Sequence, residues 1–301
     1  MKRYKSKLIL PSHRHGLYYL EHCRVMSRDD RLVYARQKGA FTQFLAIPQK
    51  NTSVILLGSG TSITQKAAQK LADEGVLLAF TSGQGTPLYL ASQSEYRPTQ
   101  YMQEWTSFWF DTPSRLQAAK CFQRGRVEQV QKHWWKNSLP SPGEACTSFE
   151  LDIERSSTVE ELLLAEGRYT KALYKVLAKH FSYPSFTRLP GQADGDPFND
   201  FLDHGNYLAY GLAATALWVL GISFAFPVFH GKTRRGALVF DVADIVKDAI
   251  VMPTAFEAAA RDMGHQPFRE LCIDRFRADK SLRFLIKFVQ ETSGRFKRVL
   301  Q

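Results

Sequence analysis

The sequence predicts an α+β protein: a β-rich N-terminal domain over residues 1–95, then a larger all-helical domain over residues 96–301. Three observations carry that reading. Before residue 92 the apolar segments are short, rich in β-branched and aromatic residues, and separated by turn residues. From "SEYRPTQ" onward they lengthen and recur at helical spacing. Finally, 301 residues with 44% hydrophobic and 13% aromatic side chains are enough for two ordinary domains or one large one with substantial cores.

In chain order, "GLYYLEHCRVM", "RLVYARQ", "FTQFLAIP" and "TSVILLG" read as strands, with Arg28-Asp29-Asp30 as a turn. "SITQKAAQKLADEGV" reads as a helix, with Ser62 and Gln65 at capping-box spacing and Gly75 as its stop. "LLAFTS" and "PLYLAS" return to strand. "LLGSGTSIT" lies between strand and helix but has Ile63 where a dinucleotide fingerprint needs its third glycine, and no lysine at P-loop spacing. It is read as a tight turn.

The domain boundary is placed near residues 92 to 99. Beyond it come the helical run "TQYMQEWTSFWFDTPSRLQAAKCFQRGRVEQVQKHWWKN", a loop "SLPSPGEACTS", and the helix "SSTVEELLLAEGRYTKALYKVLAKHF", with Ser157 and Glu160 at capping-box spacing. The aromatics of "WTSFWF" and "HWW" fall at core-like helical spacing, although nearby Arg124, Arg126, Lys132 and Lys136 keep base stacking open. "YLAYGLAATALWVLGISFAFPVF" is apolar enough for a membrane span, but Gly221, Ser223 and Pro227 break it and no second span accompanies it. A buried core helix, with no membrane partner, is the expectation. The chain closes on the basic amphipathic "RFRADKSLRFLIKFVQETSGRFKRVL".

The four cysteines are scattered, with no CxxC pair, so reduced cytoplasmic thiols are expected rather than disulfides or structural zinc. The N-terminal apolar run, Leu8 to Leu10 before Pro11, is too short for a signal-peptide core. Forty Lys and Arg against 29 Asp and Glu give a formal charge of +11, which favours a polyanionic partner without naming it.

Two constellations carry chemistry. At about 100° per residue, Val159, Leu162, Leu163, Tyr169, Leu173 and Leu177 all project within about 60° of Glu166, while the neighbouring charges lie on the far side. Glu166 therefore sits within an apolar stripe, where a carboxylate must be paired, protonated or bound to a metal. In "FPVFHGKTRRGALVFDVADIVKD", Asp241, Asp244 and Asp248 stand at i, i+3 and i+7 on one helix face. A solvated acidic stripe capped by Asp241 would have that pattern too. His230 lies eleven residues before Asp241, in a loop able to fold back over the helix start. Between them, Lys232, Arg234 and Arg235 form a glycine-bounded basic loop suited to phosphates, or an ordinary solvated one. Together the carboxylates and imidazole are donors that Mg²⁺ or Mn²⁺ accepts, and such ions serve phosphodiester chemistry.

Those motifs, "LLLAEGRYTKALY", "DPFNDFLDHGNYLAYG" and "FHGKTRRGALVFDVADIVKD", with the N-terminal "VILLGSGTSIT" and "GVLLAFTS", resemble the CRISPR-associated spacer integrase and endonuclease family. This is the first-numbered, near-universal CRISPR-associated protein, here in wording similar to its subtype I-F branch. The resemblance spans nearly the whole chain. It implies Glu166, His230 and Asp244 as metal ligands, with Asp241 beside them in the catalytic pocket. It also implies a homodimer formed through the β-rich domain, with spacer-precursor and repeat or leader DNA as substrates. A second CRISPR-associated adaptation protein, fused to the helicase-nuclease in this subtype, is the implied partner. The implied reaction is metal-dependent DNA cleavage and attack of a spacer 3′-OH on a repeat-boundary phosphodiester. Many members carry Tyr where His204 aligns, so no role for that Tyr carries over and His204 stands as a candidate alone. The competing reading is a non-catalytic nucleic-acid-binding scaffold in which Glu166 is only salt-bridged.

Overall fold

The computed structural model describes residue 14 and residues 16–81, 87–91, 97–190, 196–231 and 236–298, with backbone alone for 87–91. The chain divides into two compact units, Met1–Arg97 and Pro98–Gln301.

The first unit holds two four-stranded sheets. One has the order β1 (Gly16–Leu20), β5 (Thr52–Leu57), β7 (Leu77–Thr81), β8 (Pro87–Ala91), parallel except for the antiparallel β8. The other runs β4 (Phe41–Ala46), β3 (Arg31–Lys38), β2 (Arg24–Arg28), β6 (Ser62–Ile63), antiparallel except for the short β2–β6 pairing. β5 is buried along its whole length, which is why "TSVILL" lacks polar alternation. Helix α1 (Gln65–Asp73) sets Ala67 and Leu71 into a core with Leu20, Val25, Leu32, Ile55 and Leu57.

Two details differ from expectation. "GLYYLEHCRVM" is two strands, because His22 takes φ 47° and donates its N–H to Ser59 O. The α1 cap is Thr64, whose hydroxyl accepts from Ala67 N, since Ser62 and Ile63 are committed to β6.

The second unit is all helical: α2 (Gln100–Trp109), α3 (Thr112–Lys136), α4 (Gly143–Arg155), α5 (Val159–His180), α6 (Pro197–Leu220), α7 (Ala237–Val246), α8 (Met252–Ala260), α9 (His265–Ala278) and α10 (Ser281–Phe296). The helical run divides into two helices at Asp111, whose carboxylate caps α3 through Ser114 N, with Pro113 in the first turn. The expected loop is shorter, because α4 already begins at Gly143. α6 takes in the apolar stretch read as a core helix only as far as Leu220, buried on nearly every side, and Gly221 at φ 69° ends it so that residues 221–229 form a loop. Each Leu it buries contributes roughly 1.5–3 kcal/mol. Among the described residues no helix is long and apolar enough to cross a membrane.

Between α7 and α8 lies a π-helical turn, Lys247–Val251, in which Met252 N bonds Lys247 O. Pro253 follows and has no N–H, so the carbonyl of Asp248 finds no donor in the helix. The indole of Trp134, from α3, supplies one at 3.2 Å.

A buried acidic cluster on α3, α5 and α7

α5 starts one residue later than the spacing predicts. Thr158 is its cap, accepting from Glu161 N at 3.1 Å, and the Glu161 carboxylate accepts from Ser157 N and Oγ at 2.7 and 2.9 Å. The apolar stripe holds: Leu162, Tyr169, Leu173 and Leu177 are buried, with Val159 and Leu163 partly so. Glu160, Glu161, Arg168, Lys171, Lys175 and Lys179 are exposed. Glu166 sits on this stripe with 20% of its side chain open. Its Oε1 accepts from Arg126 Nη1 at 2.8 Å and Thr170 Oγ1 at 2.9 Å.

The acidic stripe is not solvated. Gly236, at φ 67°, opens α7 in a left-handed conformation, so Asp241 lies inside the helix instead of capping it. Asp241, Asp244 and Asp248 are 2%, 3% and 0% exposed. The Asp241 carboxylate gathers the preceding loop, with Oδ2 accepting from Val228 N at 2.7 Å and Phe229 N at 3.1 Å. Its Oδ1 accepts from His230 N at 2.9 Å and lies 2.7 Å from His230 Nδ1. That pairing leaves His230 Nε2 3.7 Å from Asp244 Oδ2, while Asp244 Oδ1 accepts from Lys247. Two indoles fix the same loop from α2: Trp105 Nε1 donates to Phe226 O at 3.0 Å and Trp109 Nε1 to Pro227 O at 2.6 Å.

Arg126 on α3 joins the two helices. It is 1% exposed; Nε donates to Asp248 Oδ2 at 2.6 Å, Nη2 to the same oxygen and to Thr170 Oγ1, and Nη1 to Glu166 and Gln123. Burial alone would lower the Arg126 pKa, but the charges of Asp248 and Glu166 hold it well above the ordinary value. Burial pushes the Asp248 carboxyl up. Burial also opposes ionisation of Glu166 and Asp244, yet Arg126 holds Glu166 below the ordinary value, and Lys247 with Arg126 does so for Asp244. His230 moves up: burial lowers it, and the Asp241 hydrogen bond with the Asp244 charge outweighs that.

His230 thus joins Asp241 and Asp244 by contact, while Glu166 is coupled to Asp244 only through charge, its own contacts being to Arg126 and Thr170. Four buried or half-buried carboxylates face two cations, Arg126 and Lys247, so negative charge is in excess. Among the described residues no group of three or more His, Cys, Asp or Glu is already disposed to hold a metal, because Glu166 and Asp244 are drawn onto those cations. The donor set itself, carboxylate oxygens and one imidazole, suits Mg²⁺ or Mn²⁺, whose charge would offset that excess.

Lys232, Arg234 and Arg235 lie outside the described residues. His204 is 5% exposed and packs on α9, stacked on His265 at 5.1 Å, with Nε2 3.5 Å from Arg269 Nη1. Burial, with Arg269 and His265, pushes its pKa down to about 4. Thr170 and Lys247 escaped the sequence reading, and Arg126, read there as a cation beside stacking aromatics, is buried and so is not available to bases. Arg126 had a signal: Phe122, Arg126 and Val130 recur every four residues, placing a cation on an apolar stripe just as Glu166 sits on its own.

A sequence model described as "CRISPR associated protein Cas1" matches residues 17–271. The "CRISPR-associated endonuclease Cas1" of Pseudomonas aeruginosa (strain UCBPP-PA14) is 45% identical over 310 aligned positions, covering 96% of both chains. Of solved structures, "Crystal structure of TtCas1-DNA complex" is similar with a TM-score of 0.64 at 23% identity, covering 95% of this chain and 98% of that one. "Casposase bound to integration product" is similar with a TM-score of 0.69 at 13% identity, covering 95% and 92%.

Proposed function

The chain belongs to the CRISPR-associated Cas1 family, and from that membership we propose that it is a divalent-metal-dependent DNA endonuclease and integrase of CRISPR adaptation. The observation that carries this is the acidic cluster, in which buried carboxylates and one imidazole outnumber their cations. Glu166, His230 and Asp244 would hold the ion, and Asp241 positions His230. A bound Mg²⁺ or Mn²⁺ supplies a Lewis acid that polarises the scissile phosphate and offsets developing charge. In the reaction a spacer 3′-oxygen forms a new bond to phosphorus at the repeat boundary as the old P–O bond breaks, releasing a new 3′-OH. By closing Nδ1 with a hydrogen bond, Asp241 reserves Nε2 of His230 for the metal side of the ring. Lys232, Arg234 and Arg235 hold DNA phosphates.

The same reading takes spacer-precursor and repeat or leader DNA as partners, in keeping with a relative described in complex with DNA and another bound to an integration product. It places a homodimer contact in residues 1–95 and catalysis in residues 96–301. It also takes a second CRISPR-associated adaptation protein, fused to the helicase-nuclease, as a partner, and the cytoplasm as the location.

The Arg126–Glu166 pair favours a second reading, a non-catalytic nucleic-acid-binding scaffold. One experiment separates them. Nicking and joining of branched DNA should require Mg²⁺ or Mn²⁺, stop with EDTA, and be abolished by Glu166→Ala, His230→Ala or Asp244→Ala, with DNA binding kept. Activity unaffected by EDTA and by all three substitutions would reject the metal site, whereas DNA binding with no nicking or joining at any metal concentration would favour the scaffold.

A further inference from the structure

Resting on the reading of Glu166 as a ligand, we propose that Arg126, Thr170 and Asp248 form a positioning assembly that ties down one oxygen of Glu166 and frees the other for the metal. Among the described residues both hydrogen bonds of Glu166 end on Oε1, one from Arg126 Nη1 at 2.8 Å and one from the Thr170 hydroxyl at 2.9 Å. Oε2 receives none. A carboxylate held at one oxygen keeps a fixed plane and presents the second, which is what neighbours of a metal ligand do to orient it.

Arg126 does not use up the charge of Glu166. Two of its nitrogens, Nε and Nη2, meet Asp248 Oδ2, whereas only Nη1 meets Glu166. Arg126 thus shares one positive charge between Asp248, fully out of solvent, and Glu166, so that the two carboxylates together keep a negative charge for a cation. Asp248 is in turn fixed by the π-helical turn and by the Trp134 indole on its carbonyl. The assembly thus joins α3, α5 and the π-helical turn that follows α7, and α5 and α7 are the helices that carry Glu166 and Asp244. Thr170 closes it by accepting from Arg126 Nη2 at 2.9 Å while donating to Glu166.

Thr170 gives the decisive test, because its two conservative replacements separate positioning from packing. Thr170→Val keeps the volume and removes the hydroxyl; Thr170→Ser keeps the hydroxyl and removes the methyl. Mn²⁺ is titrated into the full chain and free Mn²⁺ followed by electron paramagnetic resonance, with thermal melting measured alongside. Thr170→Val should weaken Mn²⁺ binding about tenfold while Thr170→Ser binds within about twofold of the parent. Asp248→Asn should also weaken it about tenfold, since Arg126 then pairs with Glu166. Parent-like binding by Thr170→Val, or weaker binding by Ser than by Val, overturns the assembly while a loss of binding in Glu166→Ala upholds the metal site. No binding by the parent chain, or parent-like binding by Glu166→Ala, overturns the metal site and the assembly with it.

Discussion

Asp241 holds His230 twice through one oxygen, Oδ1, which accepts from the backbone N–H at 2.9 Å and lies 2.7 Å from ring Nδ1. With Oδ2 on Val228 N and Phe229 N, a single carboxylate fixes three consecutive residues and the imidazole plane. Asp241→Asn replaces one acceptor oxygen with an amide nitrogen, which donates and cannot accept these bonds. Mn²⁺ affinity and nicking rate should both fall about 10- to 100-fold, as for lost supports of other metal ligands. Parent-like values in both assays would remove Asp241 from the site.

The raised pKa of His230 has consequences of opposite sign for folding and for metal binding. For folding, a raised value means stabilisation that is fully present below the unfolded value near 6.5 and lost as pH rises through the folded value. For metal binding the imidazole must be neutral, so affinity grows as pH climbs through the same range. The melting temperature of the parent relative to His230→Ala should therefore decline with rising pH while Mn²⁺ affinity of the parent increases. Two curves rising together would show that His230 is not the linked group.

Gly205 is a close-approach position. A Cβ there would lie 2.5 Å from Val251 Cγ1 and 3.0 Å from Phe268 Cζ, both in buried side chains. Gly205→Ala should destabilise the protein by about 1–3 kcal/mol in denaturant unfolding, the usual cost of overfilling a packed core. Unchanged stability would mean that α6 shifts freely against its neighbours.

For the basic loop, the expected readout is salt dependence. Replacing Lys232, Arg234 and Arg235 with Ala should weaken DNA binding and reduce the slope of log affinity against log salt by about 0.9 for each phosphate no longer neutralised. A preserved slope assigns the DNA footprint to other cations.

Strand and helix types were legible because their periods differ, and Glu166 stood out because the wheel of α5 put it on an apolar stripe. Its pairing with a neighbouring helix was equally legible as a possibility, and Arg126 realises it. Helix registers were less so. Ser and Thr crowd the starts of α1 and α5, and the pairing of Ser62 with β2 and of Ser157 with Glu161 leaves Thr64 and Thr158 as the caps. The burial of Asp241 hangs on Gly236 beginning α7 four residues before "DVAD", which the acidic spacing by itself does not reveal. Three tertiary features set the environment of Asp248: a π turn, a proline with no N–H, and an indole from α3.

The burial of α6 on nearly all sides has a consequence for how the helical unit comes apart. Amides around Leu212 to Val219 have no route to solvent through local fraying, so they exchange with deuterium only when the whole unit opens. Their exchange rate is therefore a direct gauge of its global unfolding free energy, and a peptide covering this stretch should be the last in the unit to gain mass.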